Sequence, residues 1–371
     1  MIRAFLVDDE EPARERLKRL LGECDGVEVV GESSDGEEAP REIARATPDL
    51  VFLDIQMPGR TGMEVAASLA PPRPRIIFCT AFDHYAIQAF EHHAVDYLLK
   101  PLSRERLRAA VGRVRAAVES EDRIVREMRS ASEAQALLYP CEPASLESLE
   151  LSGACRPARE VGGDYYDFLP LGEGRLALAV ADVSGKGLFA GLLMAGLQGR
   201  IQSLAHRYRN DLKELMAELN RAMHALTGRN RYATLFYGVY EDATRKLTYV
   251  NAGHPAALVF RHSGVSQAAS ARFEALAPTG TVIGLLPDAQ YGISDVTLSP
   301  GDLLLIYSDG LAETRNSEGV EMGVEGIVSA TRRHFGGSAR AIRDEILEEA
   351  EARRGGAAPE DDVTLVVARV R

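Results

Sequence analysis

The stretch EVGGDYYDF, Glu160 to Phe168, seats Asp164 directly behind two glycines and ahead of two tyrosines and a second acid, Asp167. Paired glycines let a backbone approach something closely, and an acid at such a turn often faces a cation or a phosphate. Taken alone, the stretch reads as a solvated loop acid. Its meaning depends on whether other acids converge on the same point.

Around it, residues 150–371 alternate strand-type runs (RLALAVADV, ATLFYGVYE, KLTYVNAG, AALVFRH, DLLLIYSDG, VTLVVARV) with helices over Gly187–Tyr208 and Asp211–Leu226. Short connections such as EDATRK predict largely antiparallel sheets. Three strand ends carry acids: Asp182 in VADVSGKG, Asp309 in YSDGLAET, and Asp361 with Asp362 in PEDDVTLVV. With Asp164 these make four acidic sites, each at the lip of a strand. Carboxylates gathered so closely need about two divalent cations for stability. No histidine or cysteine lies in these acid-bearing motifs, so hard oxygen ligation favours Mg²⁺ or Mn²⁺ over zinc. Such a centre acidifies water and clamps a phosphate, which points to phosphate ester hydrolysis. SGKG lacks the Walker A spacing, so ATP use is not indicated.

These motifs resemble a metal-dependent PPM-type (protein phosphatase 2C-like) serine/threonine phosphatase of the bacterial SpoIIE-like branch, over residues 148–371. EVGGDYYDF, ADVSGKG, NAGHPAALV, SDGLAET and DDVTLVV stand in family order. The resemblance implies an αββα sandwich. It implies that Asp182 bridges two Mn²⁺ or Mg²⁺ ions with the Val183 carbonyl, that Asp309 and Asp361 complete one site, and that Asp164 serves the other through water. Asp362 is expected behind the ligands. Arg159 is a weak candidate for gripping the substrate phosphate, with a surface arginine as the equal alternative. Asn251 and His254 are read as structural, His254 having a proton-donor role only as the lesser option.

The first third repeats a different pattern. RAFLV, GVEVVGES, DLVFLDI, RIIFCTA and VDYLLKP alternate with amphipathic segments, and five βα units predict a parallel sheet covered on both faces. Ligands of such sheets sit beyond the carboxyl ends of the strands, where Asp8, Asp9, Asp54, Thr80 and Lys100 fall. Crowded acids there favour Mg²⁺. The segment is similar to a two-component response-regulator receiver domain, a flavodoxin-like (βα)5 fold over residues 1–120. That resemblance implies phosphorylation of Asp54 by a sensor histidine kinase. Asp8, Asp9, Asp54 and the Gln56 carbonyl would hold Mg²⁺, with Lys100, Thr80 and Tyr97 as the switch. It also implies a cis bond before Pro101. YAIQAFEHHAVDYLLKP resembles receivers that precede a LytTR DNA-binding domain, which makes DNA binding a rival output.

Between them, residues 103–140 are rich in Arg, Glu and Ala, and only the closing Pro140 is a proline. Leu107, Val111, Val114, Val118, Val125 and Met128 fall at heptad spacing, interrupted at Glu121. This predicts a long helix and a coiled-coil homodimer; a helix packed on its own receiver fits the first contacts equally well.

Composition sets outer bounds. Two domains are expected for 371 residues. A net charge of -12 and no helix-turn-helix text argue against nucleic acid as a partner. No apolar run approaches the ~20 residues of a membrane span, and a cytoplasmic protein is expected. Four scattered cysteines indicate neither a disulfide framework nor zinc. The leading reading is a response regulator that dephosphorylates phosphoserine or phosphothreonine on a protein, for which the resemblance implies a STAS-domain anti-sigma-factor antagonist. The alternative is an adaptor with a catalytically degenerate phosphatase-like domain.

Overall fold

Leu50–Asp54 reads LVFLD and is buried at every position, a pattern that suits a strand covered on both faces. It is the third of five strands, β1 (Ile2–Val7), β2 (Val27–Ser33), β3 (Leu50–Asp54), β4 (Arg75–Thr80) and β5 (Asp96–Leu99). They pair in parallel in the order β2-β1-β3-β4-β5, the flavodoxin-like arrangement. Alternate residues feed two cores: Ala4 and Leu6 of β1 point into one, Phe5 and Val7 into the other. The computed structural model describes residues 1–81, 94–140, 146–227, 230–262 and 272–371. All of YAIQAFEHH therefore falls outside the described residues, as does Cys141.

The chain divides into two units, Met1–Arg126 and Glu127–Arg371, with the boundary inside one helix, Arg104–Ala136. That helix ends at Ala136, before the linker's closing Pro140. Its seam needs correcting: Leu107, Val111 and Val114 are buried in the first unit's own core, so these positions are not free for a partner helix. Heptad and single-helix patterns share the same first contacts. Farther along, Ile124 and Val125 are exposed.

The second unit carries β6 (Leu149–Arg156), β7 (Asp164–Gly172), β8 (Arg175–Val183), β9 (Ala233–Glu241), β10 (Lys246–Ala252), β11 (Ala257–Phe260), β12 (Phe273–Leu276), β13 (Ser294–Thr297), β14 (Leu303–Tyr307) and β15 (Val363–Val370). They form two antiparallel sheets, β13-β10-β9-β8-β7 and β12-β11-β14-β15-β6. The period of two explains the layering. Leu176, Leu178 and Val180 of β8 meet Leu304, Ile306, Val366 and Ala368 between the sheets. Ala177, Ala179 and Ala181 face outward, where small side chains admit the Leu188–Arg207 and Leu212–Thr227 helices through Met194, Leu197, Leu215 and Leu219. On the far side Leu303, Leu305 and Leu365 receive Gly323–His334 and Ala339–Arg354 through Ile327, Ile342 and Ile346. The result is the expected αββα sandwich. Among the described residues no helix is long and apolar enough to cross a membrane.

Candidate functional site

In the receiver, the ends of β1 and β3 bring oxygens of Asp8, Asp9 and Asp54 within 4.8 Å of one another. Lys100, just past β5, places Nζ 2.7 Å from Asp8 Oδ2 and 2.7 Å from Asp54 Oδ2. Burial raises the Asp54 carboxyl above its usual range, against the pull of Lys100. Burial alone would lower the Lys100 ammonium, but its bonds to Asp54 and Asp8 outweigh it and raise it. Thr80, the last residue of β4, and Tyr97, within β5, are buried, and the backbone N–H of Gln56 donates to Asp54 Oδ1 at 3.3 Å. The Lys100–Pro101 bond is cis, as expected. Three carboxylates in this space suit one hard cation.

In the second unit, Asp164 opens β7 and lies opposite Asp182 of β8 in the strand register. The carboxyl of Asp164 is fully buried and its Oδ2 has no hydrogen-bond partner among the described residues. Burial first, then the charge of Asp182, holds it well above the usual carboxylate range. Asp182 is pushed up to about 7 by burial and by the charges of Asp309, Asp361 and Asp362. Asp309 is raised by burial and by Asp361. The acids feel one another without closing to the single-ion spacing seen in the receiver, which suits ions shared between carboxylates and waters. An orphaned buried oxygen within this much repulsion fits divalent cations.

The two glycines now have specific reasons. A Cβ on Gly162 would stand 2.5 Å from Asp362 Oδ2, and one on Gly163 would stand 2.7 Å from the Val183 carbonyl oxygen. Asp362 accepts the N–H groups of Ala158 (2.7 Å) and Gly163 (2.6 Å), so it clamps the loop before Asp164. Arg159 is exposed on that loop, and its charge is felt at Lys186. Lys186 Nζ lies 2.9 Å from Asp361 Oδ2 and donates to the Glu360 carbonyl at 2.6 Å.

Sequence reasoning gave no individual role to Gln135. Its amide donates to the Gly162 carbonyl at 2.8 Å and accepts the Gly162 N–H at 3.0 Å. Tyr139 O–H donates to the Asp164 carbonyl at 2.9 Å. The stretch SEAQALLYP that contains it resembles the regulatory helix of SpoIIE-like phosphatases, which packs beside the helix after DVSGKG, but that text does not single out the glutamine itself.

His254 is buried, with Nδ1 2.7 Å from Thr234 Oγ1 and its backbone N–H donating to Asn251 Oδ1 at 2.9 Å. Burial pushes its pKa down to about 3, which supports the structural role over proton donation. The folded ring stays neutral while an unfolded histidine protonates near ~6.5. Its stabilising contribution is therefore complete above that value and is lost as pH falls toward 3. His254→Asn should lose less thermal stability than the parent between about pH 7 and about pH 4. Parallel melting-temperature curves would contradict this.

Residues 172–371 match the family described as Stage II sporulation protein E (SpoIIE), and residues 4–112 match the response regulator receiver domain. Asp164 lies just before the first of these matches. An uncharacterized response regulatory protein of Yersinia pestis is 53% identical over 115 residues, 31% of this chain and 48% of that protein. The chain thus spans about half the length of the curated relatives it matches. The SiaA-PP2C domain of Pseudomonas aeruginosa superposes with a TM-score of 0.59 at 18% identity, covering 67% of this chain and 98% of that one. The PP2C phosphatase domain with a fragment of the regulatory domain of SpoIIE from Bacillus subtilis gives 0.51 at 21%, covering 61% and 64%. Both likenesses show the fold.

Proposed function

Because the chain belongs to the Stage II sporulation protein E (SpoIIE) family, we propose that its output is metal-dependent hydrolysis of phosphoserine or phosphothreonine on a protein, governed by phosphorylation of Asp54. The observation that carries this reading is the crowding of Asp164, Asp182, Asp309 and Asp361, with Asp164 Oδ2 buried and unpartnered. A catalytically degenerate adaptor would have lost such acids, and all four are present. Asp182, the Val183 carbonyl, Asp309 and Asp361 would hold two Mn²⁺ or Mg²⁺ ions, with Asp164 acting through water. Such ions supply Lewis acidity and acidify a water for in-line attack on phosphorus. The chain's own part is to fix the acids on paired strands, to hold the Asp164 loop through Asp362, and to present Arg159 and Lys186 to the phosphate. Release of phosphate from a phosphoserine peptide in Mn²⁺, abolished by excess chelator, tests this output.

In the receiver, Asp8, Asp9, Asp54 and the Gln56 carbonyl would hold Mg²⁺, which with Lys100 neutralises the incoming phosphoryl group. Thr80 and Tyr97 would respond to it. The donor would be a sensor histidine kinase, and the substrate a STAS-domain anti-sigma-factor antagonist in the cytoplasm. A homodimer would pair through the linker beyond the receiver core, where Ile124 and Val125 are exposed. Asp54→Asn should abolish labelling by acetyl phosphate. Full labelling of that variant would place the acceptor elsewhere.

A further inference from the structure

Beside the acid centre, the Leu188–Arg207 helix begins with apolar side chains turned outward. Leu188 is 42%, Phe189 47% and Leu192 65% exposed. Tyr232, 39% exposed, joins them because its backbone is stitched to Ser184: Tyr232 N–H donates to Ser184 Oγ at 3.0 Å, and Ser184 N–H donates to the Tyr232 carbonyl at 2.9 Å. Arg231 lies with its guanidinium carbon 4.1 Å from the centre of the Phe189 ring. Exposed apolar groups clustered in this way, edged by charge, mark interaction sites.

Resting on the phosphatase reading, we infer that this patch, Leu188, Phe189, Leu192, Arg231 and Tyr232, docks the phosphoprotein substrate, and that it selects phosphoserine flanked by apolar residues. Two observations favour this occupant. Phe189 is three residues beyond Lys186, whose Nζ touches Asp361, so residues beside a phosphoserine at the centre meet the patch; an extended chain spans ~3.3–3.6 Å per residue. The cations fit as well. In a chain of net charge -12, Arg159, Lys186 and Arg231 gather around the Gly185–Gly187 loop, complementary to a phosphorylated partner. A symmetric second copy seated here would set the same cations against one another.

The test uses the full chain in Mn²⁺ with two synthetic phosphoserine peptides, one with leucines on both sides of the phosphoserine and one with glutamates. p-Nitrophenyl phosphate reports activity independent of docking. The parent should favour the leucine peptide in kcat/KM by about 10-fold or more. Phe189→Ala and Leu192→Glu should each remove most of that preference. Fluorescence anisotropy of the labelled leucine peptide in chelator should show the same order of binding. No preference in the parent, or an undiminished preference in both variants, overturns the inference while leaving the phosphatase reading intact. Conversion of a dimer to a monomer by Leu192→Glu assigns the patch to a second copy and also overturns it. If the parent hydrolyses neither peptide nor p-nitrophenyl phosphate, the phosphatase reading itself fails, and the docking inference with it.

Discussion

Asp182→Asn should release phosphate from a phosphoserine peptide at least roughly 100-fold more slowly than the parent, since even residues behind metal ligands commonly contribute 10–100-fold. The substitution keeps the shape and the strand pairing with Asp164 but removes the charge expected to bridge two ions. The same change should raise the melting temperature of the metal-free protein, because the half-buried Asp182 carries its charge among those of Asp309, Asp361 and Asp362 and like charges in that setting repel. Mn²⁺ should then stabilise the parent by about 2.7 kcal/mol at 100 times its dissociation constant, and stabilise the variant much less. Rates and thermal melts with and without Mn²⁺ check both halves. Unchanged turnover in Asp182→Asn would remove the two-ion mechanism.

Inserting two residues after Arg126 should uncouple hydrolysis from Asp54 phosphorylation, whereas inserting seven should largely preserve the coupling. An α-helix turns ~100° per residue, so two residues rotate the downstream part of the helix by ~200°, and seven nearly restore the phase. The insertion point is the boundary between the two units, within the continuous Arg104–Ala136 helix. The receiving end of this helix is Gln135, buried and bonded twice to Gly162, two residues before Asp164. A rotation transmitted along the helix that pulled Gln135 away from Gly162 would leave backbone groups unsatisfied, at about 1–3 kcal/mol each. Gln135→Ala should accordingly lower turnover in the parent background. Phosphate-release rates with and without acetyl phosphate decide the matter. If both insertion variants respond like the parent, the helix is a passive tether.

The parts legible in the sequence were those where one physical pattern dominates. The alternation of β8 shows plainly because its two faces meet different layers, and the acids at the strand lips stand out because carboxylates seldom gather without a cation. β12 and β13 escaped because they are short, and three of four positions in β12 and all four in β13 are not buried, leaving no apolar rhythm to read. The heptad was ambiguous for a different reason. Leu107, Val111 and Val114 keep the same spacing whether they meet a partner helix or their own receiver core. The bonds of Asp362 to Ala158 and Gly163 could not be read in advance, because they join residues far apart in sequence. Gln135 was hidden in the same way, since its partner is a backbone that any residue could present.

The most direct test of a receiver governing a metal-dependent phosphatase is the initial rate of phosphate release from a phosphoserine peptide by the whole chain in Mn²⁺, measured before and after acetyl phosphate treatment. Hydrolysis that excess chelator abolishes is expected, with a rate that changes on treatment in the parent but not in Asp54→Asn. Absence of hydrolysis in both Mn²⁺ and Mg²⁺, or a rate identical with and without Asp54 phosphorylation, would contradict it.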